Sequence, residues 1–95
     1  MKKSDLIEII AEEFPHLDRK EVFQIVNGIF EAMIEGLQNG EKIEIRGLGT
    51  FKVKERPEKM ARNPRTGEKI LVPARRTVHF KTGKLLKSRL NGKGA

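Results

Sequence analysis

The sequence predicts an α+β fold with a protruding two-stranded β-ribbon arm, and three observations carry that prediction. Apolar residues recur at helical spacing through the first 40 positions and alternate at a period of two after Lys42. Positive charge is gathered in the second half: residues 1–40 hold four Lys/Arg against eight Asp/Glu, whereas residues 41–95 hold sixteen against five. The stretch from Lys54 to Arg76, KERPEKMARNPRTGEKILVPARR, carries eight cations and three Glu, with Ile70-Leu71-Val72 as its one apolar run and Met60 isolated. That apolar surface is too small to offset the backbone entropy of ordering, roughly 1–2 kcal/mol per residue. Yet Pro57, Pro64 and Pro73 punctuate the stretch, and Asn63-Pro64-Arg65-Thr66-Gly67 reads as a turn near its middle. A charged, turn-tipped ribbon with no core of its own is expected to order on a polyanion.

The elements follow in order. Ser4 is placed to cap a first helix carrying Leu6, Ile7, Ile9, Ile10 and Phe14, which Pro15 ends. Asp18 and Glu21 form an acidic capping box for a second helix. Its stripe of Val22, Ile25, Val26, Ile29, Phe30, Met33, Ile34 and Leu37, widened by Phe23, runs to a stop at Gly40. Lys42-Ile43-Glu44-Ile45-Arg46 and Thr50-Phe51-Lys52-Val53-Lys54 alternate on either side of Gly47-Leu48-Gly49 and predict a β-hairpin. The arm follows as two extended stretches about Asn63–Gly67. Thr77-Val78-His79-Phe80 is the return strand. Thr82 is placed to cap a short helix through Leu85, Leu86 and Leu90 that Asn91-Gly92 closes, and Lys93-Gly94-Ala95 is a tail.

Ninety-five residues make one domain, 1–95, with the arm at 54–76. Without the arm, 72 residues remain to build a core, which is marginal. The long stripe of the second helix needs more partner surface than the other elements supply, and association with a second copy is expected. Without cysteine there is neither disulfide framework nor thiolate chemistry. The basic start, Met1-Lys2-Lys3, is followed by apolar positions broken by Glu8, Glu12 and Glu13, so it does not read as a signal peptide. No apolar stretch approaches the roughly 18 residues of a membrane span. The chain reads as cytoplasmic, with no membrane partner and no small-molecule substrate. His16 and His79 have no second ligand at metal spacing, and no cofactor, metal or catalytic constellation is expected.

Positive charge gathered in one half points to phosphates or anionic lipid, and nucleic acid is the expected partner. The arm tip, Arg62-Asn63-Pro64-Arg65, suits the minor groove of a duplex. Arginine is drawn to its negative potential, and asparagine can hydrogen-bond its acceptors. Proline is rigid and apolar with no N–H to desolvate, so it can push between base pairs. Asn63-Pro64 could equally start an ordinary turn closed at Gly67. The flanking cations Arg56, Lys59, Lys69, Arg75 and Arg76 favour the DNA reading.

Arg62-Asn63-Pro64-Arg65-Thr66-Gly67 resembles the arm-tip signature of the bacterial HU and integration host factor family of DNA-bending proteins. Three further segments, in order, extend the resemblance over nearly the whole chain. Lys3-Ser4-Asp5-Leu6-Ile7 is similar to the family's start. Gly47-Leu48-Gly49-Thr50-Phe51 is similar to its hairpin. Phe80-Lys81-Thr82-Gly83-Lys84-Leu85-Leu86-Lys87 is similar to the segment before its last helix. Leu48 stands where the family usually has Phe, and Ala61 where it usually has Gly before the tip. The resemblance implies an intertwined dimer with a helical base and two ribbon arms curled around nucleoid DNA. It implies Pro64 as an intercalating wedge, with Arg62, Asn63 and Arg65 in the minor groove. Lys54, Arg56, Lys59, Lys69, Arg75 and Arg76 would meet phosphates along the arm, while Lys3, Arg46, Lys81 and Lys84 would hold the flanking duplex. Gly83 and Lys84, near a helix start, suit phosphate through outward N–H groups.

Ile43-Glu44-Ile45-Arg46 resembles the β subunit of integration host factor, whereas Ala74-Arg75-Arg76 and Leu86-Lys87-Ser88-Arg89 resemble its α subunit. The mixture implies one subunit doing both jobs as a homodimer; a heterodimer stays open. Glu44 and Arg46 read either as an exposed ion pair or as the site of sequence preference found in β-like proteins. A basic RNA-binding or ribosome-associated protein is the alternative class. It fits the charge and size, but with no Tyr or Trp, and with the five Phe mostly at core positions, stacking platforms for single strands are lacking.

Overall fold

The computed structural model describes residues 1–92, so the expected tail at Lys93-Gly94-Ala95 lies outside the described residues. The elements run α1 (Lys3–Glu13), α2 (Arg19–Gln38), β1 (Ile43–Ile45), β2 (Gly49–Arg56), β3 (Lys59–Arg62), β4 (Lys69–Val72), β5 (Arg75–Thr82) and α3 (Lys84–Leu90). Contacts divide them between two units, Met1–Gly36 and Leu37–Ala95.

In the first unit α1 begins before Ser4, which lies inside the first turn. The free amides there are met instead by Asp5, whose Oδ2 accepts the Lys2 N–H at 2.7 Å. The expected box at α2 is present and reciprocal. Asp18 Oδ1 accepts the Glu21 N–H at 2.8 Å, and Glu21 Oε1 accepts the Asp18 N–H at 3.0 Å. Arg19 and Glu8 form an exposed ion pair between the two helices. Ile7, Val22 and Val26 are buried, with Ile10, Ala11, Leu17 and Phe30 packed against them. The rest of the α2 stripe stays open: Phe23, Ile25, Ile29 and Ile34 are between 48% and 55% exposed. Three buried side chains are a very small core for two helices.

In the second unit α2 ends at Gln38. Gly40, at φ +79°, turns the chain out of the helix, and its N–H donates to Leu37 O at 3.0 Å. β1, β2 and β5 then form an antiparallel sheet in the order β1-β2-β5. The return strand is longer than the alternation at Thr77–Phe80 suggests. β5 pairs with β2 along its full length, from Gly49↔Thr82 to Arg56↔Arg75. Directly opposed residues share a face, so Phe51, Val53, Val78 and Phe80 line one side and Lys52, Lys54, His79 and Lys81 the other. The Phe51 and Phe80 rings lie 4.8 Å apart across the strands. Val78 remains 54% exposed and Phe80 37%, so this apolar face is also open.

The ladder then breaks at Pro57-Glu58 and Pro73-Ala74, where neither proline can donate. It resumes as a separate two-stranded sheet from Lys59↔Val72 to Arg62↔Lys69. The arm is thus a paired ribbon, its two extended stretches joined by a ladder about the turn. Apolar burial, on which the sequence expectation rested, is not its source of order; the antiparallel ladder is.

Two glycines are held for different reasons. At Gly49, φ +156°, an added Cβ would stand 2.3 Å from Lys81 O and 2.7 Å from the Phe80 ring. At Gly67, φ +75°, the surroundings are open. Gly67→Ala is expected to cost only the left-handed penalty of about 1–2 kcal/mol. Gly49→Ala should cost clearly more, because backbone must move. Urea unfolding of the two variants at matched protein concentration checks the order, and equal losses would contradict it.

Candidate nucleic-acid interface

Strand alternation sorts the ribbon's cations. On β2, Lys52, Lys54 and Arg56 share a face; on β5, Arg75 and Lys81 occupy the same face by register. Arg56 is directly opposite Arg75, and farther out Arg62 is directly opposite Lys69. Like charges across a ladder repel. Among the described residues the ion pairs are Arg19–Glu8 and Lys42–Glu44, neither of them in the ribbon. The rungs at Arg56↔Arg75 and Arg62↔Lys69 therefore carry opposed cations with no protein anion between them. Lys59 sits opposite Val72 on the alternate face of β3–β4.

The tip is built by short hydrogen bonds. The Gly67 N–H donates to Asn63 O at 2.7 Å, and the Asn63 N–H to Glu68 O at 2.8 Å. The Arg65 N–H donates to Asn63 Oδ1 at 2.8 Å. Asn63 thus spends its side-chain acceptor inside the turn and keeps its amide N–H groups, the donors that minor-groove acceptors require. Pro64 and Arg65 are exposed at the apex.

The other expected contacts are distributed over both units. Arg46 and Lys84 come together around one concavity, with Gly47, Leu85 and Ser88. Lys81 lines another with Thr82, Lys87 and Asn91. Lys3, in the first unit, donates from Nζ to Asn27 Oδ1 at 2.9 Å.

Three expectations are corrected. Thr82 ends β5 and does not cap α3; the residue before the helix is Gly83, in extended conformation with no side-chain cap. The Gly83 N–H is not free for phosphate, because it donates to Leu48 O at 2.9 Å. A Cβ there would lie 3.2 Å from that oxygen, so close backbone approach explains the glycine. Arg76, expected on a phosphate, is on the apolar face of β5, where its Nη1 donates to Gln38 O at 3.1 Å and its Nη2 to Leu37 O at 3.2 Å. No helix signal at Gln38 or strand signal at Arg76 could announce a contact 38 residues apart.

Glu44 pairs with Lys42 at 2.9 Å rather than with Arg46. The hydrogen bond from Lys42, and then its charge, hold the Glu44 carboxyl below the usual carboxylate range. Alternation in the sequence offered Glu44 either cation, but β1 ends at Ile45 and Arg46 already lies in the turn.

The chain matches the family described as bacterial DNA-binding protein over residues 1–91. It is 50% identical over 91 residues to integration host factor subunit beta of Halorhodospira halophila, covering 96% of this chain and 89% of that protein. It is 45% identical to the corresponding subunit of Methylococcus capsulatus, covering 96% of each. Among solved structures it resembles HU from an Anabaena HU–DNA cocrystal, with a TM-score of 0.82 and 32% identity over 95% of this chain and 97% of that one. A mutant HU from Thermotoga maritima superposes with a TM-score of 0.67 at 31% identity, covering 95% and 99%.

The lowered Glu44 value sets a pH dependence. A carboxylate depressed in the folded state contributes its stability above the ordinary range and loses it as pH falls through the lowered value. A carboxyl NMR titration should find Glu44 below the usual carboxylate range, and Lys42→Met should raise it. A Glu44 value unmoved by that substitution would contradict the pairing.

Proposed function

The chain belongs to the bacterial DNA-binding proteins, the family of HU and integration host factor, and on that premise we propose how its own residues grip and bend a duplex. It is an architectural DNA-binding protein of the nucleoid, not an enzyme. The observation that carries the mechanism is the pair of like-charged rungs, Arg56↔Arg75 and Arg62↔Lys69, held opposite one another along a ribbon. Such rungs are unfavourable until an anion lies along them, and phosphates spaced along a duplex supply it.

The ribbon follows the minor groove. Arg62, Arg65 and the amide of Asn63 read its floor and potential, and Pro64 enters between base pairs. Unstacking a step costs a few kcal/mol, offset when the bent duplex meets more basic surface. Lys54, Arg56, Lys59, Lys69 and Arg75 neutralise phosphates along the arm. Arg46, Lys81 and Lys84, with Lys3, take the flanking duplex.

A second copy of the chain completes the fold. The half-exposed stripe of Phe23, Ile25, Ile29 and Ile34 and the open face holding Val78 and Phe80 are apolar surfaces that a stable protein does not leave to water. A homodimer closes both and presents two arms.

The test is energy transfer between the ends of a duplex of about three helical turns. Binding should weaken with salt at a slope of about −0.9 per neutralised phosphate. Pro64→Ala should lower the bend more than the affinity. Tight binding without a bend on any duplex would overturn the wedge, and a preference for structured RNA in competition would overturn the partner.

A further inference from the structure

Arg76 sits among the arm's cations in the sequence and lines one concavity with Arg56 and Arg75, but its guanidinium is turned to the other face of the ribbon. On β5, Arg75, Thr77, His79 and Lys81 face one way, and Arg76, Val78 and Phe80 face the other. Its guanidinium is engaged on that apolar side. Both terminal nitrogens donate to backbone carbonyls, those of Leu37 and Gln38. These belong to the last turn of α2, where the carbonyls carry the negative end of the helix dipole and have acceptor capacity left, Leu37 O taking only the Gly40 N–H besides. A planar cation with two parallel donors is well matched to them.

The position of this contact along the ribbon gives it a role. Glu55↔Arg76 and Arg56↔Arg75 are the last two rungs of the β2–β5 ladder. Beyond them lie the proline breaks at Pro57 and Pro73, and the ribbon restarts only at Lys59↔Val72. Resting on the DNA-bending reading above, we infer that Arg76 is not a phosphate ligand but the fixed point of the arm. It pins the proximal rungs to the end of α2, so that the outer ribbon turns about the proline break while its root stays still. Arg76 is thus a positioning residue: it aims Arg62, Asn63 and Pro64 without touching DNA. Force applied to the duplex by the tip is returned to the helix end through two hydrogen bonds.

Salt dependence separates a positioning residue from a phosphate ligand. Parent protein, Arg76→Met, Arg76→Lys and Arg75→Met are titrated on one duplex at several salt concentrations, with end-to-end energy transfer read at saturating protein. Arg75→Met should lower the salt slope by about 0.9, the loss of one phosphate. Arg76→Met should keep the parent slope but lose energy transfer at saturation. Arg76→Lys, which keeps the charge but has a single donor nitrogen in place of two, should recover part of it. A slope reduced by about 0.9 in Arg76→Met, or parent-like transfer in that variant, would overturn the inference. Circular dichroism establishes that each variant is folded at the assay temperature. If Arg76→Met is not, Arg76→Lys decides: reduced transfer at unchanged slope supports the fixed point, and parent-like transfer overturns it. A parent that binds but does not bend would refute the bending reading itself, a result distinct from either.

Discussion

Antiparallel pairing of β2 with β5 is the constraint on which the rest of the second unit depends. Its register places every second residue of two eight-residue strands on the same side. One side thereby becomes a line of cations, and the other a surface of Phe51, Val53, Val78 and Phe80. A slip of one residue would exchange the two. Gly49, with Lys81 O where its Cβ would stand, fixes one end of that register. Arg76, bound to the α2 carbonyls, holds the other. The sorting of charge from apolar surface thus follows from strand geometry, and the cationic and apolar surfaces are two readings of a single ladder.

Both surfaces are incomplete within a single copy. The apolar ones lack cover, and the cationic rungs lack anions. The two needs are chemically distinct and call for distinct partners. Apolar area calls for an apolar partner surface, with little dependence on salt; opposed cations call for a polyanion, with strong dependence on it. A chain with so small a buried cluster as Ile7, Val22 and Val26 is therefore specified as much by what it binds as by what it buries.

Much of this was legible in the sequence. The α2 stripe and its Asp18/Glu21 box, the hairpin around Gly47–Gly49 and the turn at Asn63–Gly67 are local, and local spacing determines them. What was not legible depends on long-range pairing. Ser4 and Thr82 have the side chains of helix caps, but the helices start elsewhere, because Asp5 reaches back in one case and Gly83 is needed for close approach to Leu48 in the other. Arg75 and Arg76 are adjacent cations that no composition argument can tell apart, and one step of strand alternation gives them opposite surroundings. The pairing of the arm is hard to read for a similar reason: counting apolar residues omits the ladder bonds of β3 and β4.

The proline breaks have one more effect. A two-stranded ribbon has two open edges, each a row of unpaired amides and carbonyls able to recruit a strand from another molecule. A continuous arm from Lys54 to Arg76 would offer long templates on both sides. Here Pro57 and Pro73 remove donors and interrupt the ladder, and β3 and β4 are four residues each, with Lys or Arg at or beside their ends. Short, charged and punctuated edges are poor seeds for intermolecular sheets. An arm so divided is thus kept from zippering onto neighbouring copies into fibres, and the prolines that interrupt its ladder also guard its edges.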